Sequence, residues 1–207
     1  MSSYTIPSVV EKTLHGERAV DIYSRLLSDR IVYIGTPIDD GVANVAIAQL
    51  LHLESDSPDT EINLYLNSPG GEPTAMLAIY DTMQFIRAQV ATTCVGQAAS
   101  TAAVLLAAGA PGRRTVLPHA RIVLDQPSGG SRGALPDLQV EAKEIARQRA
   151  ELVELLALHS GRSTDQVRHD TERDLVLGAA DAVAYGVVDA VLESRKLRQP
   201  EPAARVV

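Results

Sequence analysis

The stretch EINLYLNSPGGEPTAMLAIYDTMQFIR, residues 61–87, decides how this chain folds. It passes from a β-rich run through a turn of small residues into a run of helical character. The same order recurs on both sides. RIVYIG (30–35) leads into DDGVANVAIAQLLHLE (39–54), and VATTCVG (90–96) leads into QAASTAAVLLAAG (97–109). A strand-turn-helix pattern returning about every 30 residues has the spacing of a βα unit, so an α/β fold of stacked repeats is expected. The repeats are too imprecise in sequence for a solenoid.

At 207 residues, with no Gly/Ser-rich or Pro-rich interior linker, one substantial domain is expected. The formal charge of −7 and the lack of a Lys/Arg run argue against a nucleic-acid or anionic-membrane partner. Six Tyr, one Phe and no Trp leave little to stack on bases. The lone Cys94 has no internal partner for a disulfide, which fits a reducing compartment. MSSYTIPSVVEK lacks a basic region followed by an apolar core and does not read as a signal peptide. The most apolar run, residues 98–110, falls short of the roughly 20 residues a membrane span needs. A soluble, cytoplasmic protein is expected.

Two more short strands follow, RRTVL (113–117) and RIVL (121–124), ahead of a glycine-rich GGSRG (129–133). From Ala134 to Ser160, Leu138, Ala142, Ile145, Leu152 and Leu156 recur at helical spacing, and Gly161 supplies a stop. Such a helix spans about 40 Å at 1.5 Å per residue, more than the width of a domain this size. Part of it is expected to project and to bury its stripe on another subunit, with Leu152 and Leu156 on that interface. The competing arrangement lays it across one face of a monomer. The tail from Lys196, with Pro200 and Pro202, is expected to fray.

No Gly-x4-Gly-Lys-Ser/Thr pattern occurs, so the chain should not hydrolyse ATP itself, and the five histidines are scattered without zinc spacing. No cofactor or metal is expected. SPGG (68–71) offers backbone N–H groups that can approach a ligand or form an oxyanion hole, and it also suits an ordinary tight turn. GQAAS (96–100) puts Ser100 where a strand gives way to a helix, as in a nucleophile elbow; serine there also serves as a helix cap. Asp125, at the end of the apolar RIVL, is costly to bury without a partner.

Taken together, GERAVDIYSRLLSDRIVYIG, YLNSPGG, AIYDTMQFI, GQAAS, QPSGG, HDTERD and AYGVVDAVL stand in an order and spacing that resemble the Clp protease proteolytic-subunit family, over residues 8 to 196. That resemblance implies a spiral of stacked strand-and-helix repeats, shared with the crotonase enzymes, and a projecting handle helix at about 134–160. It divides the chain into an N-terminal axial segment (1–18), a protease domain (19–196) and a flexible tail (197–207). It further implies two stacked seven-membered rings around a chamber, and polypeptide substrates fed by a partner AAA+ ATPase. Of the family's serine, histidine and aspartate triad, Ser100 and Asp174 match two members. The oxyanion donors match the N–H groups of Gly71 and Thr101. The position that matches the histidine holds Asp125.

An aspartate of pKa about 3.9 is a poor base for a serine hydroxyl, whereas a histidine near 6.5 serves well. His119 is no substitute, since six extended residues separate it from position 125 by about 20 Å, and His169 is expected to face solvent. If Asp125 and Asp174 face one another, one carboxyl should be pushed up, with a proton shared between them. A subunit with a defective triad, acting structurally or as a regulator beside a histidine-containing paralogue, is expected. The alternatives are an active endopeptidase, either using another base or with Asp125 as an engineered change, and an acyl-CoA enzyme of the crotonase type. The family's outer pocket for hydrophobic loops of the ATPase matches Asn63, Tyr65, Phe85, Thr93, Val95, Thr115 and Leu117. Asn63, Thr93 and Thr115 make it more polar than is usual there, which either weakens apolar docking or suits a different loop.

Overall fold

The computed structural model describes residues 5–13, 16–126 and 135–194. All of the glycine-rich stretch after Gln126, the first residue of the expected long helix (Ala134), residues 1–4 and 14–15 of the N-terminal segment and the tail from 195 onward lie outside the described residues.

The chain opens with an antiparallel hairpin of β1 (Ser8–Thr13) and β2 (Gly16–Asp21), followed by α1 (Ile22–Ser28). The Asp21 carboxylate accepts the Ser24 amide at 3.0 Å and starts that helix. The three repeats come next: β3 (Ile31–Ile34) with α2 (Asp40–Asp56), β4 (Ile62–Ser68) with α3 (Pro73–Phe85), and β5 (Val90–Ala99) with α4 (Thr101–Ala107). Asp39 caps α2 by accepting from the Val42 amide at 2.8 Å, and Pro73 sits in the first turn of α3, where its missing N–H costs nothing. Then follow β6 (Arg114–Val116), β7 (Arg121–Leu124), α5 (Leu135–Ser160), α6 (Thr164–Asp170), β8 (Leu175–Leu177), α7 (Ala179–Tyr185) and β9 (Ala190–Val191). Gly161, at φ +72°, ends the long helix as expected.

The main sheet runs β3-β4-β5-β6-β9, with every pairing along that path parallel. β5 forks. Its first half, Thr92 to Cys94, pairs with β6, and its second half, Gln97 to Ala99, pairs with β7, which in turn pairs antiparallel with β8. Alternation decides which side is covered. Ile62, Leu64 and Leu66 of β4 are completely buried, and α2 and α3 bury Ala46, Leu50, Met76 and Ile79 in the same core. All seven residues of α4 are buried, which explains its small side chains: a helix enclosed on every side leaves no room for long ones. On the other face of the sheet, Tyr33, Tyr65, Thr93 and Thr115 stand in one register row.

The long helix corrects one expectation. Leu152, Val153, Leu156 and Ala157 of α5 are buried in the core of their own protomer, so Leu152 and Leu156 are not free for another subunit. Only the first half keeps its stripe accessible, with Leu138 and Ile145 half-exposed and Val140 69% exposed. Arg114 ties the last turn of α5 to the rest. Its Nη1 donates to the carbonyls of His159 at 2.7 Å, Gly186 at 3.1 Å and Ala107 at 3.2 Å, while Nε and Nη2 clamp Asp189.

Candidate active site

The fork in β5 builds the site. Ala98 pairs with Ile122 and Ala99 with Val123, and the Ser100 amide donates to the Val123 carbonyl at 2.9 Å. Ser100 and Asp125 therefore leave the sheet at the same end of adjacent parallel strands. Ser100 turns sharply, with φ 54° and ψ −125°, a conformation that non-glycine residues adopt only when their surroundings impose it. It occupies the cap position of α4, yet its side chain makes no capping hydrogen bond. The hydroxyl is instead a hydrogen-bonding neighbour of the Asp125 carboxylate. This is the strand-to-helix elbow expected from GQAAS, and the capping alternative does not describe it.

Asp125 is half-buried, and its Oδ1 is buried without a hydrogen-bond partner among the described residues. Burial pushes its carboxyl above the usual carboxylate range; the hydrogen bond with Ser100 opposes this, and the negative charge of Asp174 adds to it. Ser100 and Asp125 are thus brought together, and the exposed Asp174 is near enough for its charge to act on Asp125. His119 and His169 stay away. Arg121 lies beside Gln97, so His119 belongs to the opposite end of β7 from Ser100, and it is exposed. His169 is also exposed, with Nδ1 4.0 Å from a Glu172 carboxylate oxygen. Neither lines the cleft at Ser100.

The SPGG turn is more than a reversal of direction. Gly70, at φ +95°, lies flat against the serine, and a Cβ there would meet the Ala99 carbonyl oxygen at 2.6 Å and Ser100 Cβ at 2.8 Å. The Ile38 amide donates to the Gly70 carbonyl at 2.9 Å, and the Glu72 amide donates to the Ile38 carbonyl at 2.8 Å. Thr101 Oγ1 donates to the Gly71 carbonyl at 3.3 Å. The N–H groups of Gly71 and Thr101 have no partner among the described residues. Two supports escaped the sequence reading. Ile38 is one, and Asn67 is the other: its side-chain oxygen accepts the Gln97 amide at 3.2 Å where the β4–β5 register shifts. In sequence Asn67 reads as one more polar strand residue, and nothing marks the bulge it fills.

Beside Ser100 the cleft has apolar walls of Val104, Leu124, Leu152, Val153 and Leu156, with Gln126 and Arg149 also lining it. It is narrow, about 20 Å³, roughly the space of one water, so a side chain enters only by parting those walls. On the outer face, Thr93 and Thr115 satisfy one another through a 2.8 Å hydroxyl contact, Asn63 is half-buried, and Phe85 is 83% exposed. Among the described residues no helix is long and apolar enough to cross a membrane.

Comparison with known proteins agrees with this geometry. The family model for Clp protease matches residues 14–195. The chain is 58% identical over 196 residues to ATP-dependent Clp protease proteolytic subunit 1 of Nocardia farcinica (strain IFM 10152), covering 94% of this chain and 100% of that protein. It is 59% identical to proteolytic subunit 2 of Streptomyces avermitilis over 94% of this chain and 98% of the relative. It is 57% identical to proteolytic subunit 4 of Rhodococcus jostii (strain RHA1) over 93% and 99%. With its forked sheet, its serine elbow and this match over nearly its whole length, the chain belongs to the Clp protease family of serine peptidases, among the proteolytic subunits.

Proposed function

We propose that this chain is a Clp-type proteolytic subunit with a defective triad, serving as a structural or regulatory member of a ring assembly. One observation carries the reading: the side chain beside Ser100 is the carboxylate of Asp125, where a serine peptidase needs an imidazole. A serine base must take the hydroxyl proton near neutral pH and return it to the leaving amine. An ionised aspartate is too weak a base for that step. A protonated one already carries its proton and is far too weakly basic to take a second from the hydroxyl. Raising the Asp125 pKa therefore moves the site between two unsuitable states.

In this reading Ser100, Gly71, Thr101 and Asp174 are the family's machinery retained around a missing base. Residues 1–18 form an axial segment, 19–196 the protease domain, and two seven-membered rings form the chamber in the cytoplasm. A histidine-containing paralogue shares the assembly. The numbering of the relatives as subunits 1, 2 and 4 supports more than one kind of proteolytic subunit in such systems. Unfolded polypeptides are delivered by a partner AAA+ ATPase, the only component that uses ATP; no cofactor or metal takes part. The polar Asn63, Thr93 and Thr115 weaken apolar docking on the outer face. The acyl-CoA alternative loses its ground with membership of the Clp family.

A second reading, an active endopeptidase, draws support from the strained Ser100 and from the Gly71 and Thr101 amides, which have no partner among the described residues. Turnover of a fluorogenic peptide and labelling by a serine-directed fluorophosphonate separate the two. A silent subunit shows neither above background, whereas robust turnover by the chain alone establishes the second reading.

A further inference from the structure

Arg149 stands on α5 at positions i, i+3, i+4 and i+7 with Leu152, Val153 and Leu156, so it continues the face that walls the cleft beside Ser100. It is half-buried, and it makes no hydrogen bond or ion pair among the described residues. Its neighbour Arg147 is engaged by Glu144 and Glu151, at 2.7 Å and 2.9 Å. Arg149 and Asp125 line the same cleft, yet no hydrogen bond or ion pair joins them among the described residues.

Arg149 also lines a polar basin of about 740 Å³, next to the apolar cleft, with Gln126, His169, Asp170, Glu172 and Arg173. The acids there have neighbours of their own, though neutral ones for Asp170. Asp170 accepts from Tyr185 Oη at 3.0 Å and from Gln166 at 2.7 Å, and Glu172 faces His169. Arg173 has no partner among the described residues. In a chain of net charge −7, two unspent guanidinium groups thus meet at the mouth of one cleft. A guanidinium is a planar fork of donors matched to a carboxylate.

We propose that Arg149 selects, at this cleft, polypeptide segments carrying a carboxylate side chain within two residues of an apolar one. One helical turn, about 5.4 Å, separates Arg149 from Leu152 and Val153, and an extended peptide covers that in about two residues. The apolar side chain parts the walls at Leu124, Leu152 and Leu156 to enter, and the acidic one reaches Arg149. The inference rests on the reading of this cleft as a polypeptide site, and it holds whether or not the bound segment is cut.

The test uses the full native chain and fluorescence anisotropy with three fluorescein-labelled hexapeptides. They are identical except for Glu, Gln or Lys placed two residues from a Leu. The Glu peptide should bind about five- to tenfold tighter than the Gln peptide, the range of a partly desolvated charge-assisted pair. Arg149→Gln should erase that ratio and Arg149→Glu should shift preference to the Lys peptide, with thermal midpoint and sedimenting mass unchanged. Equal binding of Glu and Gln peptides by the native chain overturns the inference alone. Binding of none of the three overturns the polypeptide reading and the inference together. Loss of the ratio accompanied by a drop in mass marks Arg149 as an assembly contact and also overturns it.

Discussion

The Ser100 amide donates to the Val123 carbonyl at 2.9 Å, two residues before Asp125. That bond closes the register in which the second half of β5 runs beside β7, and it delivers the elbow serine and the carboxylate to the same end of the sheet. The serine is held in a conformation that costs energy, on the order of 1–3 kcal/mol for such backbone strain. On the proposed reading, this is the scaffold of a nucleophile beside a partner of the wrong chemistry.

Restoring the base is the most direct experiment. Asp125→His should raise peptide turnover by at least about a thousandfold over the native chain, since loss of the histidine from a complete triad costs about a millionfold. The steady-state rates of the two proteins, compared at pH 7.5 to 8, check it. Unchanged rates would show that the lesion extends beyond this side chain.

Asp125→Asn probes the buried carboxylate through stability. The folded-state pKa of Asp125 is raised, first by burial and then by Asp174, against the lowering effect of Ser100. The folded protein thus holds the proton more tightly than the unfolded chain. Its favourable contribution is complete below the unfolded value near 3.8 and is lost as pH climbs through the raised folded value. At pH 7 the neutral amide should raise the thermal midpoint by a few degrees. That gain should vanish as the pH approaches 4, which a series of melts reads directly.

The two halves of α5 should answer differently to mutation. Leu152→Ala and Leu156→Ala empty space in the protomer core and should each cost about 2–5 kcal/mol in denaturant unfolding. Ile145→Glu and Leu138→Glu sit on the accessible half. If that half forms the ring-ring contact, they lower the sedimenting mass with little change in the protomer's unfolding.

Arg114 and Asp189 provide the acid limit. Burial pushes the Asp189 carboxyl up, but the hydrogen bonds and charge of Arg114 outweigh it and hold the group below the usual carboxylate range. The stabilisation is therefore complete above the unfolded value near 3.8 and is lost as pH falls through the depressed folded value. Arg114→Ala should cost about 3 kcal/mol or more at pH 7, because it strands Asp189 and the His159 carbonyl together. The gap between variant and native should narrow as the pH drops below about 4, as unfolding curves across that range would show.

By itself, the sequence determined the three repeats, the long helix and its stop at Gly161, and the residue types at Ser100, Asp125 and SPGG. These are local matters: alternation, helical spacing and turn chemistry act over a few residues, and an elbow needs only a strand next to a small-residue helix. The branching of β5 was not legible, because pairing between strands is decided by contacts across tens of residues. Asn67, Ile38 and Arg149 were hidden for the same reason, each being an ordinary residue until folding sets it against Ser100 or its cleft. The apolar stripe of α5 shows the limit most plainly. Helical spacing put Leu138, Ile145, Leu152 and Leu156 on one face, and only the packing of the protomer decided that Leu152 and Leu156 lie in its own core while Leu138 and Ile145 remain accessible, since burial depends on where the rest of the chain ends.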